Sequence, residues 1–474
     1  MTLTHKKAVF IFRRDLRLED NLGLLTALGA SAEVVPVFIF DPQQVDRAQN
    51  PYFSEPAFQF LLNSLAELDD ALKARGSQLH IFYGEQPAIV DALITKDGVD
   101  AVYVNKDYTP FARKRDKAVA DTAEKHSVFF CRHDDLTLSG IEIIRTGQDT
   151  LYTVFTPFMR KAAVEDVPAP RPNKYANYFS SSVITPTVAL SDFTADTTGM
   201  DLLLAGGRTE ALKIMKEPAF LNGYKDNRNY PAKVHSTSRL SAHHKFGTIS
   251  IRESYHLAAK HAGKGSHFIS ELYWRDFYYY IAYHFPLVFK QSFLPWAKHM
   301  EWVNDKAHFA AWCTGRTGVP MVDAGMRELN STGWMHNRSR MIVASYLTKS
   351  LLIDWRLGEQ YFASKLIDYD PAQNNGGWQW SASTGADPRP LRIFNPYTQA
   401  ANYDAGAAYI KKWVPELSDV PSDILSDGKT QDLHAHAPSY PAPVVDQKES
   451  YHRALATYKA AKETWKQDKI AENS

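Results

Sequence analysis

The residues best equipped for chemistry lie together at 366–381. Asp368 and Asp370 supply carboxylates, and Gln373, Asn374, Asn375 and Gln379 supply carboxamides. Trp378 and Trp380 add flat rings beside the pair Gly376-Gly377. A packing helix would repeat apolar residues at three- and four-residue spacing. Here polar groups alternate with large rings instead. Carboxamides can donate and accept along the edge of a planar polar molecule, rings can stack on it, and glycines let the backbone come close. The ordinary alternative is a polar turn that caps a helix next to two core tryptophans.

Three further clusters extend this chemistry. His235-Ser236-Thr237-Ser238-Arg239-Leu240-Ser241 places hydroxyls and successive backbone N–H groups ahead of a helix, which suits a phosphate. A plain helix cap would use only one of those hydroxyls. Glu271, Trp274 and Arg275 stand at i, i+3 and i+4 and share one helical face; a Glu–Arg pair is the structural alternative. Trp334, Asn337, Arg338 and Met341 are expected on one helical face, with Arg340 turned toward the next. His336 is expected to be a structural hydrogen bonder rather than an acid.

These groups need a scaffold. Short apolar runs at 8–12, 34–40, 79–83, 101–104 and 128–130 read as strands buried on both faces, as in parallel sheets. Helical patterns at 56–75, 86–95 and 111–126 alternate with them, and Gly76 stands where the first should stop. Strand, helix, strand predicts a doubly wound α/β domain over 1–135. No Gly-x-Gly-x-x-Gly follows the first strand; Arg13-Arg14-Asp15-Leu16-Arg17-Leu18 stands there, which excludes a simple dinucleotide dehydrogenase. Pro168-Ala169-Pro170-Arg171-Pro172, Ser180-Ser181-Ser182 and a Thr-rich run predict an interdomain connector over 136–200. Residues 201–474 lose strand signals and predict a larger all-α domain, ending in a charged amphipathic helix at 455–469.

Length and composition frame the choice. A chain of 474 residues predicts two or three domains. Apolar residues at 44% and charged residues at 23% suit a water-soluble globular protein. The net charge of +1 does not by itself announce nucleic acid. Aromatic residues at 12% suit a stacking ligand as well as a large core. Two cysteines, Cys131 and Cys313, exclude a disulfide scaffold and a four-Cys zinc site and fit a reducing, cytoplasmic compartment. The N-terminal apolar stretch is too short for a signal-peptide core, and no apolar run approaches a membrane span.

The 366–381 stretch, with Arg13–Leu18 and the clusters at 235–241, 271–277 and 334–341, resembles the DNA photolyase and cryptochrome family. Within it the chain is most similar to enzymes that repair cyclobutane pyrimidine dimers. The resemblance covers nearly the whole chain. It implies FAD held by Tyr224, Thr237, Ser238, Arg239, Leu240, Ser241, Glu271, Arg275, Trp334, Asn337, Arg340, Asp368 and Asp370, with Asn374 near flavin N5, and it implies that Glu271 and Asn374 take part in catalysis. Glu271, Trp274, Asn337, Arg338, Met341 and Trp380 would face a flipped-out dimer in damaged DNA, and Gln399 would touch the DNA. Trp302, Trp355 and Trp378, which spacing alone would leave as core residues, match the family's electron-transfer chain. The implied reaction is light-driven: an electron passes from reduced FAD to the dimer, the ring splits, and the electron returns. No metal is implied, and a monomer is expected.

Several departures matter. Phe268 stands where near relatives have Trp. The folate-binding segment, here Arg113-Lys114-Arg115-Asp116, follows Phe111-Ala112 instead of Asn-Glu, so a second antenna chromophore of folate or deazaflavin type, another one, or none stays open. Asp387-Pro388-Arg389-Pro390 is one residue shorter before Arg392 than the family's run. Enzymes acting on the 6-4 photoproduct place a histidine pair where Trp334-Met335 stands. The rival readings are such a 6-4 enzyme or a light-sensing cryptochrome, which would use a partner instead of a lesion. The intact lesion-facing set and the lack of a long C-terminal tail favour repair.

Overall fold

The computed structural model describes residues 4–388 and 391–472. Arg389 and Pro390 lie outside them. The five apolar runs form one parallel sheet: β1 (His5–Phe12), β2 (Ser31–Phe40), β3 (His80–Tyr83), β4 (Ala101–Asn105) and β5 (Phe129–His133), in the order β3-β2-β1-β4-β5. Ala8 of β1 lies opposite Val34 on one side and Ala101 on the other. Helices cover both faces, so the middle strands bury both sets of side chains, which is why they read as continuous apolar runs. The order reverses beside β1, and in such sheets ligands gather at the carboxyl ends of the strands. The Arg13–Arg17 segment leaves β1 at that point.

The helices Glu55–Lys73, Gln86–Asp97 and Pro110–Lys125 fall where the pattern predicts them. Ser54 caps the first by accepting from Ala57 N. Gly76 adopts φ 75 just past its end. The helix Leu22–Ala30 was not evident in the sequence. Its Leu-Gly-Leu-Leu-Thr-Ala-Leu-Gly-Ala run has no polar face, and Asn21 starts it by accepting from Leu24 N.

The stretch at 136–200 is more than a spacer. It holds the helix Phe155–Ala162, whose Phe155 and Phe158 enter the core of the helical region, and Tyr178 bridges to Val34 of β2. From 201 onward the described residues form helices and turns. The helix Asn337–Ser345 runs directly into a π-helical turn, Tyr346–Ser350. The terminal helix Gln447–Glu472 lays Ala454, Tyr458 and Ala461 against Trp296 and Leu352.

A buried ionic seam joins the two regions. Arg17 pairs with Asp135 at 2.5 Å, and Arg252 pairs with both Asp20 (2.9 Å) and Asp135 (2.6 Å). Gly247 makes the closest approach there. It has φ 66, and a Cβ on it would sit 2.1 Å from the Arg14 carbonyl. Only glycine fits that contact. Beside it Leu16 N donates to Phe246 O and Arg17 to Gly247 O, both at 3.1 Å.

Candidate functional site

A cavity of about 510 Å³ opens in the helical region, a size usual for ligand sites. The hydroxyl-rich loop forms one end: Thr237, Ser238, Arg239, Leu240 and Ser241 all line it. Arg239 adopts φ 56, and Ser241 opens the helix Ser241–Phe246. The helix His267–His284 supplies Glu271, Trp274, Arg275 and Tyr278. Asn337 and Met341 come from the helix Asn337–Ser345, and Asn374, Gly377, Trp378 and Trp380 from the helix Pro371–Ser381.

The helix Pro371–Ser381 explains the crowding of its motif. Its Gly376 is required because a Cβ would fall 2.1 Å from the Tyr278 ring, whereas Gly377 faces open space. One glycine serves packing and the other keeps the cavity wide. Asp370 caps the helix: its Oδ1 accepts from Ala372 N (3.0 Å) and Gln373 N (3.2 Å). Its Oδ2 accepts from Arg14 and from the Tyr279 hydroxyl. All four acceptor positions of this carboxylate are used. Burial raises its pKa, but Arg14 and the Tyr279 hydrogen bond outweigh that and hold it below the ordinary range.

Asn374 donates to the backbone oxygen of Glu359 (2.9 Å) and to its carboxylate (2.8 Å), which fixes the direction of the amide. Burial pushes Glu359 up to about 7, although the Asn374 bond opposes it. Asp368 pairs with Arg340 at 2.8 Å. Glu271 pairs with Arg228, not with Arg275. Arg275 instead donates to the Leu136 carbonyl at 2.5 Å. Trp274 stacks on Phe155 with ring centres 3.7 Å apart, so one of its faces is already covered.

Trp334 corrects the helical-face expectation. It precedes the helix Asn337–Ser345, whose cap is His336, and reaches the cavity from a turn. The guanidiniums of Arg239 and Arg340 lie 5.7 and 5.9 Å from its ring. His336 accepts from Arg338 N at 3.1 Å, and burial together with Arg340 and Arg338 pulls its pKa down to about 3, so it stays neutral. Arg338 is outside the cavity lining. It bonds Asn229 at 2.7 Å, reaches Gln399 at 3.5 Å and covers Tyr403.

The indole N–H groups of Trp334 and Trp378 are buried without a hydrogen-bond partner. The lining carries Arg228, Arg239, Lys245, Arg275 and Arg340 against Glu271, Asp368 and Asp370. Unmet donors, an excess of cations and a hydroxyl-rich loop at a helix start fit an anionic cofactor with a phosphate end and a planar end. Among the described residues no group of His, Cys, Asp or Glu could hold a metal, and no helix is long and apolar enough to cross a membrane.

A second cavity, of about 590 Å³, lies between the sheet and the helical region. Phe38, Phe40, Tyr52, Phe53, Phe58, Phe111 and Phe289 line it, with Arg13 and Arg115 at one side. Arg13 pairs with Asp116 at 2.6 Å and bonds Gln86 at 2.9 Å. Of the segment 113–116, Arg115 lines this cavity and Asp116 holds Arg13 at its edge.

Residues 8–173 match the family model for DNA photolyase, and residues 268–460 match the one for the FAD binding domain of DNA photolyase. The deoxyribodipyrimidine photo-lyase of Synechococcus sp. is 38% identical over 92% of this chain and 93% of its own. The Escherichia coli enzyme of that name is also 38% identical, over 95% of this chain and 98% of its own. The chain belongs to the DNA photolyase family. An archaeal photolyase from Sulfolobus tokodaii, solved with two FAD molecules, superposes with a TM-score of 0.85 at 41% identity, covering 96% of this chain and all of its own. A Synechocystis cryptochrome gives the same TM-score, but at 25% identity. The photolyase fold thus comprises the α/β and FAD-binding regions seen here.

Most residues named from the sequence converge on the photolyase cavity; Arg338, Gln399, Trp302 and Trp355 lie outside its lining. Trp378 lines it and is 2% exposed, Trp355 is 1% exposed, and Trp302 is half-buried. Trp312, not named beforehand, sits edge-on to Trp378 with centres 6.0 Å apart. Arg14, Arg228, Lys245, Tyr278 and Glu359 were also missed. Arg14 lies in a charged string whose residue types suit a solvated loop with salt bridges; the salt bridges exist, but Asp15 and Arg17 are 3% and 2% exposed. The spacing of Arg228 four residues after Tyr224, ahead of the hydroxyl-rich loop, was the one available signal for it.

Proposed function

We propose that this chain repairs cyclobutane pyrimidine dimers in DNA, with FAD in the first cavity and light as the energy source. The observation that carries the reading is one cavity joining the hydroxyl-rich loop, the oriented Asn374 amide, and Trp274 with Trp380. When bound, reduced and light-excited FAD supplies the electron that opens the cyclobutane ring and takes it back afterwards.

The protein's part is to bind, orient and exclude. Tyr224, Thr237, Ser238, Arg239, Leu240 and Ser241 hold the diphosphate; Arg275, Trp334, Asn337, Arg340 and Asp368 hold the remainder. Asn374, aligned by Glu359, would hold its amide toward flavin N5 when FAD is bound. Asp370 acts one step back, because its oxygens are already taken by Arg14, Tyr279 and the helix start. Glu271, Trp274, Asn337, Met341 and Trp380 receive the dimer after it leaves the stack, and a damaged pair is cheaper to extrude than a sound one. Arg338 and Gln399, bonded to each other, meet the flanking DNA backbone. Trp302, Trp355 and Trp378 carry electrons inward, a direction supported by the half-buried Trp302 at one end and the cavity-lining Trp378 at the other. The enzyme acts as a monomer in the cytoplasm, where its two free cysteines stay reduced.

The second cavity supports an antenna of flavin class over a folate. Its aromatic walls suit a flat tricycle, and the Sulfolobus tokodaii photolyase was solved with two FAD molecules. The repair reading is tested with ultraviolet-irradiated oligothymidylate, incubated with the flavin-loaded enzyme in light and in darkness. Dimers should disappear only in light; equal dimer content in both arms sinks the reading.

A further inference from the structure

The two cavities are separated by a thin wall, and Lys245 and Tyr369 line both. Lys245 is the charged member. It sits in the last turn of the helix Ser241–Phe246, and Arg14 Nε donates to its carbonyl at 3.1 Å. Its ammonium is 3.5 Å from the centre of the Phe246 ring and makes no hydrogen bond or ion pair among the described residues. The nearby carboxylates are occupied. Asp370 and Asp107 both bind Arg14, and Asp368 binds Arg340. On the other side Arg275 points its guanidinium at the His244 carbonyl (3.4 Å). Lys245 is therefore a half-buried ammonium with an aromatic ring for company and its possible counter-ions already spoken for. Such a group is costly unless an acceptor reaches it. Burial, and then Arg14, pull its pKa down to about 7 against the pull of Asp370, Asp107 and Asp368.

We propose that Lys245 is a binding group shared by the two cavities: an acceptor-bearing ligand in either one draws it into the charged form, so that the two ligands bind cooperatively. The proposal rests on the reading that both cavities hold anionic, ring-bearing ligands. A ligand that charges Lys245 takes up a proton from solvent. The first ligand charges Lys245 in part, the second meets a more fully charged ammonium and completes the uptake, and the benefit is reciprocal because coupling free energy is. Tyr369, whose ring lies parallel to Tyr52 at 6.2 Å, forms the neutral remainder of the wall.

The test titrates riboflavin 5′-phosphate into the FAD-loaded protein near pH 7.5, calorimetrically, in two buffers of different ionisation heat. Loss of FAD is then timed with and without the added ligand. Wild type is expected to take up a fraction of a proton per ligand and to release FAD several-fold more slowly once the second cavity is filled. Lys245→Met should bind riboflavin phosphate about ten-fold more weakly, without proton uptake and without slowing FAD loss. Lys245→Arg, which stays charged, should bind as wild type does but take up no proton. Equal affinity and uptake in wild type and Lys245→Met would overturn the shared role while leaving the flavin-class reading of the second cavity standing. Persistent uptake in Lys245→Arg would overturn it even if the Met variant failed to fold. No binding to any of the three proteins would overturn both the coupling and that reading.

Discussion

The two cavities are nearly equal in size, about 510 and 590 Å³, yet they are built on opposite plans. The first is assembled largely from runs of neighbouring residues: a loop, and one face each of three helices. Its polar groups are partnered in a definite direction, as Asn374 is by Glu359. The second takes its walls from the ends of β1 and β2, two sheet-covering helices, the Phe246 turn and residues near 286 and 369. Its rings and aliphatic side chains alternate with charged and amide groups such as Arg13, Asp41, Gln86, Asp107 and Arg115. The first plan is suited to placing atoms, and the second to holding a flat body at a fixed place between two layers. The difference teaches that polar groups close in sequence can be aimed together at one point, whereas a cavity between two layers draws its walls from segments far apart in the chain.

Four perturbations would break or sharpen that contrast. The largest effect is expected from Trp378→Phe. Light-driven reduction of oxidised flavin should fall to background, while repair survives when the flavin is reduced chemically. Transient absorption decides it; undiminished photoreduction would move the route elsewhere, with Trp312 the nearest indole.

Trp274→Ala should weaken binding of a dimer-containing oligonucleotide by about 10- to 100-fold, since one stacked base is worth roughly 1–3 kcal/mol. FAD should remain. Phe155, which covers the other face of Trp274, would lose its stacking partner, so melting temperature must be recorded beside affinity. A shed flavin with collapsed stability would reduce Trp274 to a packing residue.

Leu61→Trp places a ring in the second cavity, which Leu61 lines. It should expel an antenna pigment, keep FAD, and lower repair several-fold only at wavelengths the antenna absorbs. An unchanged action spectrum would deny the second cavity its proposed role.

The smallest effect concerns Glu359. Its folded pKa of about 7 is above the ordinary glutamate value, so it favours the native state when protonated. That contribution is complete in acid and is lost as pH rises through 7. Glu359→Gln cannot lose it, so the melting-temperature difference in favour of the variant should grow between pH 5 and pH 8. A pH-independent difference would mean that Glu359 titrates normally.

The sequence made the first cavity legible because its residues are local. Glycines, amides and rings at 366–381 signal a site before any fold is known, as do the hydroxyls at 237–241. What stayed hidden depends on contacts across long separations. Arg14 is tied to Asp370 and Glu359 to Asn374 by the meeting of distant segments. The helix face drawn through Trp334 failed because His336 caps the helix two residues later. The sheet was readable from its doubly buried strands; the helix Leu22–Ala30 was not, being apolar all round.

The ionic seam of Arg17, Asp20, Asp135 and Arg252 has a consequence for synthesis. As the chain leaves the ribosome, both acids and Arg17 emerge well before Arg252 does. Until then Asp20 lacks the guanidinium that pairs with it in the finished protein, and Asp135 has only one of its two. Burying such charges unpaired is strongly unfavourable. The sheet region must therefore wait, partly open and hydrated, for the helical region to close it. A nascent chain halted before residue 252 should stay soft at this corner and be cut there first by a protease.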